Sequence, residues 1–175
     1  FNAAFGLNII PVVARFSADM LREYAPSSAA NGTLTIVVGA VDNVCARRDI
    51  AQAIEARLVG RLGYHSNRDR LVWLDAGNER ANGQILLGNS LEPEPLLSPL
   101  GYCTGLPLPH LQEPTLLMDR PRPPAADNLS CAELSGLDEQ SAMINRLMAT
   151  LVGVYLYRLL QSRDLDMMAT FTSLD

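Results

Sequence analysis

The run of residues 34–41 (LTIVVGAV) constrains this chain most, because nearly every residue in it is β-branched or apolar. A strand buried on both faces of a parallel sheet has this pattern, since neither of its faces meets water. The run ends at Asp42-Asn43, and residues 44–59 then show apolar residues at helical spacing. The sequence here therefore predicts a buried strand followed at once by a helix that packs on the sheet.

Further periodic segments complete an α/β pattern in one domain spanning residues 1–175. The predicted elements are a short strand at 7–13, a helix at 17–24, strands at 70–74 and 84–87, a closing helix at 138–161 and a strand in the tail at 167–174. The two middle strands are close enough to pair as a hairpin. The closing helix is apolar nearly all round, which indicates burial or a subunit contact such as a homodimer.

A proline-rich segment separates the strands from the closing helix. Residues 91–125 contain nine of the eleven prolines. Proline lacks a backbone N–H and fixes φ, so this stretch predicts neither a regular helix nor a central strand. We expect a long, semi-extended crossover loop over 91–130, of the kind that is often functional in compact domains.

Composition excludes several classes of function. The net charge is -5 and all fourteen basic residues are arginine, so no basic surface for nucleic acid or an anionic membrane is expected. The chain therefore has no lysine that could bind phosphate or form a Schiff base. Three cysteines without a C-x-x-C pair argue against zinc and fit a reducing cytoplasm. No apolar run approaches the ~20 residues that a membrane span needs.

Two strands of the predicted sheet each end in an aspartate. Ligands of open α/β sheets bind beyond the carboxyl ends of the strands, so Asp42 and Asp75 are candidates for one site. Asp42 could hold magnesium through nucleotide phosphates, or could be the N-cap of the following helix. Asn43 and Arg47 could bind a substrate carboxylate, or serve turn formation and surface charge. Asp75, with the nearby Asn78 and Gln84, could line a groove or form a turn.

Each cysteine has its own alternatives. Cys131 precedes the closing helix and could be a thiol that captures an acyl group, because helix N-termini favour thiolate. It could equally be a small buried residue. Cys45, inside a predicted helix, is expected to be shielded by packing. Cys103 and His110 lie in the proline-rich loop, where nothing fixes their mutual geometry.

Three segments, taken in order, resemble the ThiF and MoeB proteins and the ubiquitin-activating enzymes. They are VGAVDNVCAR ending at Arg47, WLDAGN with the Gly-Gln at 83–84, and LSCAE around Cys131. The residues DEQS at 138–141 and Ile144-Asn145 are most similar to the ThiF-like branch of PRTRC plasmid-associated systems. The resemblance covers most of residues 34–161.

The resemblance implies a Rossmann-like ThiF-type nucleotide-binding fold. The implied activity is ATP- and Mg²⁺-dependent adenylation of the C-terminal tail of a ubiquitin-like or sulfur-carrier protein, with Asp42 and Cys131 as catalytic candidates. Asp42, Asn43, Arg47 and Asp75 would then bind the cofactor, and Asp42 would also hold the metal. The family's glycine-rich loop does not occur in these 175 residues, so we expect this chain alone to bind ATP weakly and to be inactive. A catalytically inactive binding or dimerisation module is the alternative.

Overall fold

The sheet is the centre of the structure, a computed structural model that describes Gly6 and residues 8–25, 34–59, 70–79, 81–92, 105–119, 142–162 and 165–174. The described strands are β1 (Leu34–Gly39), β2 (Arg70–Asn78), β3 (Asn82–Gly88) and β4 (Ala169–Ser173), in the order β1-β2-β3-β4. β1 and β2 are parallel, whereas β3 runs antiparallel to both β2 and β4. This mixed sheet confirms the α/β class, the hairpin and the strand in the tail.

The helices follow the capping and apolar patterns of the sequence. They are α1 (Ala18–Tyr24), α2 (Val44–Val59), α3 (Pro109–Gln112) and α4 (Ala142–Tyr157), and α4 continues into a π-helical turn at Arg158–Ser162. The Ser17 hydroxyl accepts a hydrogen bond from the Met20 amide at 3.3 Å, which makes Ser17 the predicted N-cap of α1. Residues 138–141 of the predicted closing helix lie outside the described part.

Alternation along β2 sends its side chains to opposite faces of the sheet, as the pleat requires. Leu71 and Trp73 pack with Ile50 and Ile54 of α2 on one face. On the other face, the buried residues are Val72, Leu74, Ile85 and Leu87 from the strands and Ile144, Met148 and Tyr155 from α4. The sheet is therefore covered by helices on both sides, in three layers.

Part of the proline-rich segment is packed against the sheet rather than extended. α3 begins at Pro109, and a 3₁₀ turn (Pro114–Leu117) begins at the next proline. Proline is tolerated at the first helical position, where its missing N–H would have no intrahelical partner. The Gln112 amide donates to the carbonyl oxygens of Leu87 and Pro107, each at 2.6 Å. The prediction of no regular helix in residues 91–125 is therefore wrong for Pro109–Gln112, and Pro114–Leu117 form a 3₁₀ turn.

Two other predictions for the strands are wrong. Residues 8–13 form no strand, and their apolar side chains are largely exposed, with Val13 fully so. Pro11 supplies no amide to a ladder, which is a physical reason for the failure. β1 is an edge strand of the described sheet and is only partly buried, whereas its composition predicts burial on both faces.

Among the described helices, none has both the length and the apolar composition required to cross a bilayer.

We expect Gly88→Ala to lower the free energy of unfolding by about 1–3 kcal/mol. A Cβ atom at Gly88 would overlap the backbone of Pro107 and Leu108, which cannot withdraw as a flexible side chain could. The matched control is Gly153→Ala, because Gly153 is exposed in α4 and has nothing within 4 Å of the added atom. That control should gain about 0.5–1 kcal/mol from helix propensity.

Urea titration followed by the fluorescence of Trp73, the single tryptophan, measures both variants. Equal midpoints for Gly88→Ala and the wild type would show that the 105–119 segment does not pack on β3 as described.

Candidate functional site

A cavity of about 1470 Å³ opens at the end of the sheet where both β1 and β2 terminate. The loop after β1, the start of α2, the β2–β3 hairpin, the first half of α4 and the end of β4 all contribute to its wall. Polar side chains that line it include Asp42, Asn43, Arg47, Asn78, Glu79, Gln84, Asp119 and Asn145. This is the edge at which open α/β sheets bind ligands.

Asn43, not Asp42, is the N-cap of α2. Its side-chain oxygen accepts a hydrogen bond from the amide of Ala46 at 2.7 Å, the third residue of the helix. Its side-chain nitrogen donates to Oδ1 of Asp42 at 3.2 Å. The alternative interpretation of Asp42 as the cap is therefore wrong, and its carboxylate instead lines the cavity in front of the helix N-terminus.

Arg47 and Asp75 form a largely buried ion pair beside the cavity. Nε of Arg47 donates to Oδ2 of Asp75 at 3.2 Å, and the carboxylate has no exposed surface. The arginine comes from the second turn of α2, and the aspartate from the sixth position of β2. Burial raises the pKa of Asp75 to about 6, although the charge and hydrogen bond of Arg47 oppose the rise.

Two glycines leave the space that this ion pair occupies. Gly39 lies opposite Asp75 in the β1–β2 register, and a Cβ there would approach Oδ1 of Asp75 to 2.7 Å. A Cβ at Gly77 would approach Nη2 of Arg47 to 2.9 Å. Both distances are shorter than ordinary van der Waals contact, so the pair in this geometry leaves no room for a Cβ at either position, although the flexible end of Arg47 could shift away from one at Gly77.

The described lining of the cavity is acidic. Its charged side chains are Asp42, Glu79 and Asp119 against Arg47 alone, which gives a formal charge of -2. Arg48 offsets part of this charge, because its Nη2 donates to Asp119 at 3.1 Å. A polyanion bound here would need a cation or further basic groups to balance the carboxylates.

The structure places three of the predicted cofactor-binding residues, Asp42, Asn43 and Arg47, on the same cavity. Asp75 lies under the cavity wall instead, and it reaches the site through Arg47. Asn78 and Gln84 line the cavity as well, and Asn78 donates to the side chain of Asn145 in α4 at 2.5 Å. That hydrogen bond ties the hairpin to the helix on the other face of the sheet.

The cysteines divide between the described and undescribed parts of the chain. Cys131 and Cys103 lie outside the described residues. Cys45 is exposed in the first turn of α2 and lines the cavity, so the expectation that packing shields it is wrong. It occupies the turn that extends past the edge of the sheet, whereas the buried residues of α2 begin at Ile50.

His110 packs away from the cavity, on the side of the sheet that α2 covers. Its ring lies 5.9 Å from that of Trp73, and its Nε2 is 2.7 Å from Oε1 of Glu55. These contacts join α3 to β2 and to α2. They describe a packing role for His110 within the described part of the chain.

Sequence reasoning missed the part of the wall that comes from α4, β4 and the segment after the 3₁₀ turn. Asn145, Met148, Phe171 and Asp119 line the cavity from positions far along the chain. Asn145 belongs to a segment that carries the family resemblance, and that resemblance was the one available signal for its involvement. No local pattern marks the other three.

Comparison with protein-family models, with curated proteins and with solved structures finds no match to this chain. The described residues also contain no group of three or more His, Cys, Asp or Glu side chains that could hold a metal by themselves.

Asp75 should make stability depend on pH in a defined window. Its folded pKa of about 6 exceeds the ordinary 3.8, so between these values the folded state binds more protons than the unfolded state. The contribution of this group to the free energy of unfolding is full below about pH 4. It declines as the pH rises to about 6, by on the order of 2 kcal/mol.

Urea titrations of the wild type and Asp75→Asn between about pH 4 and pH 7 isolate the contribution of Asp75 to the free energy of unfolding. The stability of the wild type relative to the variant should fall across the window and stay constant above it. A difference that does not change with pH would contradict the burial of an ionisable Asp75.

We expect a maleimide to label Cys45 in the folded chain at a rate within about tenfold of that in the unfolded chain, because its thiol is exposed. Peptide mapping separates Cys45 from the other two cysteines, and Cys45→Ser is the control. Labelling of Cys45 that requires unfolding would contradict its exposure.

Proposed function

We propose that this chain forms part of an ATP-dependent adenylating domain with a Rossmann-like, ThiF-type fold. Its reaction would activate the C-terminal carboxylate of a ubiquitin-like or sulfur-carrier protein. The observation that supports the proposal most is the convergence of Asp42, Asn43 and Arg47 on one cavity beyond the parallel strands. Those are the residues of the segment that carries the family resemblance.

In the proposed reaction, an oxygen of the tail carboxylate attacks the α-phosphorus of ATP. The bond between the α-phosphorus and the bridging oxygen breaks, pyrophosphate leaves with the electron pair, and an acyl-adenylate forms. No proton must move in this step, so the protein acts by positioning and by electrostatic stabilisation. Arg47 would hold an oxyanion of the reacting pair through its guanidinium.

The acidic lining fits a requirement for Mg²⁺. One or two carboxylates together with phosphate oxygens usually hold this ion, and Asp42 supplies such a carboxylate on the cavity wall. Bound Mg²⁺ would neutralise phosphate charge and polarise the reacting phosphoryl group. Asn43, which donates to Oδ1 of Asp42, would keep the carboxylate in place while it caps α2.

The cavity is large enough to hold two ligands. Pockets for single small ligands are about 300–1,000 Å³, and this cavity of about 1470 Å³ exceeds that range. A nucleotide and the last residues of an extended tail could therefore bind side by side. Residues 116–119 at one wall bring the proline-rich segment to the site, where it would contact the tail.

Two parts of the proposal lie outside the described residues. Cys131 would accept the acyl group from the adenylate, with AMP as the leaving group. The glycine-rich loop that grips phosphates would come from outside these 175 residues. Backbone N–H groups of such a loop supply much of the affinity for phosphate. The chain alone should therefore bind Mg·ATP weakly.

A second candidate function is a binding or dimerisation module. The observation in its favour is the exposure of large apolar side chains along α4 and the following turn. Val154, Tyr157 and Leu160 each remain at least a third exposed. A second copy of the chain would cover this surface. Pyrophosphate exchange that depends on ATP and on a carrier protein separates the two candidates, since only an adenylating enzyme catalyses it.

Asp42→Ala should reduce ATP–pyrophosphate exchange by about 100-fold or more, because a preorganised charge at the reacting phosphate is lost. Its melting temperature should stay near that of the wild type, since Asn43 caps the helix. The assay uses the longest natural protein that contains this chain, with a carrier protein whose tail ends in a free carboxylate.

Two controls bracket this measurement. Asp19→Ala removes an exposed carboxylate of α1 that lies outside the cavity, and it should leave exchange unchanged. Asn43→Ala removes the cap and should cost about 1 kcal/mol of stability. Normal exchange in Asp42→Ala would exclude the proposed role of its carboxylate.

A further inference from the structure

Asp75 orients the guanidinium of Arg47 through its Nε, and Arg47 lines the cavity. Its Nε donates to Asp75, while Nη2 lies over Gly77, a residue of the cavity wall. Within the described residues, neither Nη1 nor Nη2 donates a hydrogen bond. Arg47 therefore presents its two terminal nitrogens, with four N–H donors, at the wall of the cavity.

The side chain of Asp75 accepts no other hydrogen bond in the described part of the chain. Its Oδ2 accepts from Arg47, and its Oδ1 is buried without a partner. An unpaired buried acceptor costs free energy, so a buried carboxylate that served only to stabilise the fold would accept hydrogen bonds on both oxygens. The arrangement instead concentrates the interaction of Asp75 on a single atom of Arg47.

The side chain of Asp75 is fully enclosed by its surroundings. Gly39 on β1 and the indole of Trp73 lie near Oδ1, because a Cβ at Gly39 would come within 2.7 Å of Oδ1 of Asp75 and 3.0 Å of Nε1 of Trp73. The enclosed carboxylate therefore restricts the guanidinium of Arg47, which donates to it. The guanidinium can rotate little without losing the hydrogen bond that its Nε donates to Asp75.

We propose that Asp75 is a positioning residue, which fixes Arg47 so that Nη1 and Nη2 bind an oxyanion in the cavity. The oxyanion is a carboxylate or a phosphoryl group, since either matches the planar fork of a guanidinium. This inference rests on the proposed function for its ligand, but it assigns Asp75 a role that needs no contact with that ligand. Arg47→Lys should not replace the fork, because an ammonium group binds as a point charge.

The first test measures orientation without a ligand. In ¹⁵N-labelled protein, the Nε–H of Arg47 should exchange slowly with water in the wild type and rapidly in Asp75→Ala. Asp75→Asn should keep slow exchange, because its amide oxygen still accepts from Nε. Leu87→Ala is the control for lost stability, since Leu87 is buried on the opposite face and does not contact Arg47. The inference would be overturned if exchange were rapid in Leu87→Ala but remained slow in Asp75→Ala.

The second test measures binding of two probes, inorganic pyrophosphate with Mg²⁺ and a short peptide that ends in Gly-Gly, by the fluorescence of Trp73. Affinity for at least one probe should fall about tenfold or more in Asp75→Ala, as for loss of a charged hydrogen bond. It should fall less in Asp75→Asn and stay unchanged in Leu87→Ala. The probe that responds identifies the oxyanion as phosphoryl or carboxylate.

The double variant Arg47→Met with Asp75→Ala completes the cycle. It should bind no more weakly than Arg47→Met alone, because Asp75 acts only through Arg47. Binding that survives Asp75→Ala overturns the inference and leaves the proposed function in place. A wild type that binds neither probe overturns the inference together with the anion site of the proposed function.

Discussion

The parallel register of β1 and β2 sets the positions of the polar groups that β2 and the start of α2 bring to the candidate site. The register pairs Gly39 with Asp75, so both strands leave the sheet at the same edge. The chain that follows β1 then begins α2 within a few residues, and the helix projects Arg47 back over the end of β2. An antiparallel partner for β1 would have placed the end of β1 and the end of β2 at opposite edges.

The buried ion pair between Arg47 and Asp75 contributes little to stability, and its main effect is to orient the guanidinium of Arg47. The free-energy cost of desolvating a carboxylate offsets much of the attraction to its partner. The raised pKa of Asp75 indicates that desolvation outweighs the attraction to Arg47. Arginine cannot be deprotonated in proteins, so the charge of the pair changes only at Asp75. In a chain whose basic residues are all arginine, the cations keep their charge at every physiological pH.

Local pattern was enough to predict most of the described helices and strands, but it wrongly predicted a strand at 7–13 and missed the helix at Pro109–Gln112 and the partners that complete the site. Periodicity and capping residues located α1, β1, α2 and the hairpin, because each depends on neighbours in sequence. Aspartate and asparagine are both good caps, so the choice of Asn43 over Asp42 depended on where the helix began. The burial of Asp75 depended on an arginine 28 residues away and on two glycines. The position of β1 at the edge depended on the pairing of the whole sheet.

Within the proposed function, the charges of the described cavity indicate which half of the reaction this chain serves. Arg47, already compensated by Asp75, suits a ligand with a single negative charge better than a polyphosphate. Asp42, Glu79 and Asp119 would repel unscreened phosphates, although a metal ion on Asp42 would reverse that effect locally. A polyphosphate is held best by many backbone N–H groups at once, as in a glycine-rich loop. Within the proposed function, the described residues would therefore bind the carboxylate and the metal, and other groups would bind the phosphates.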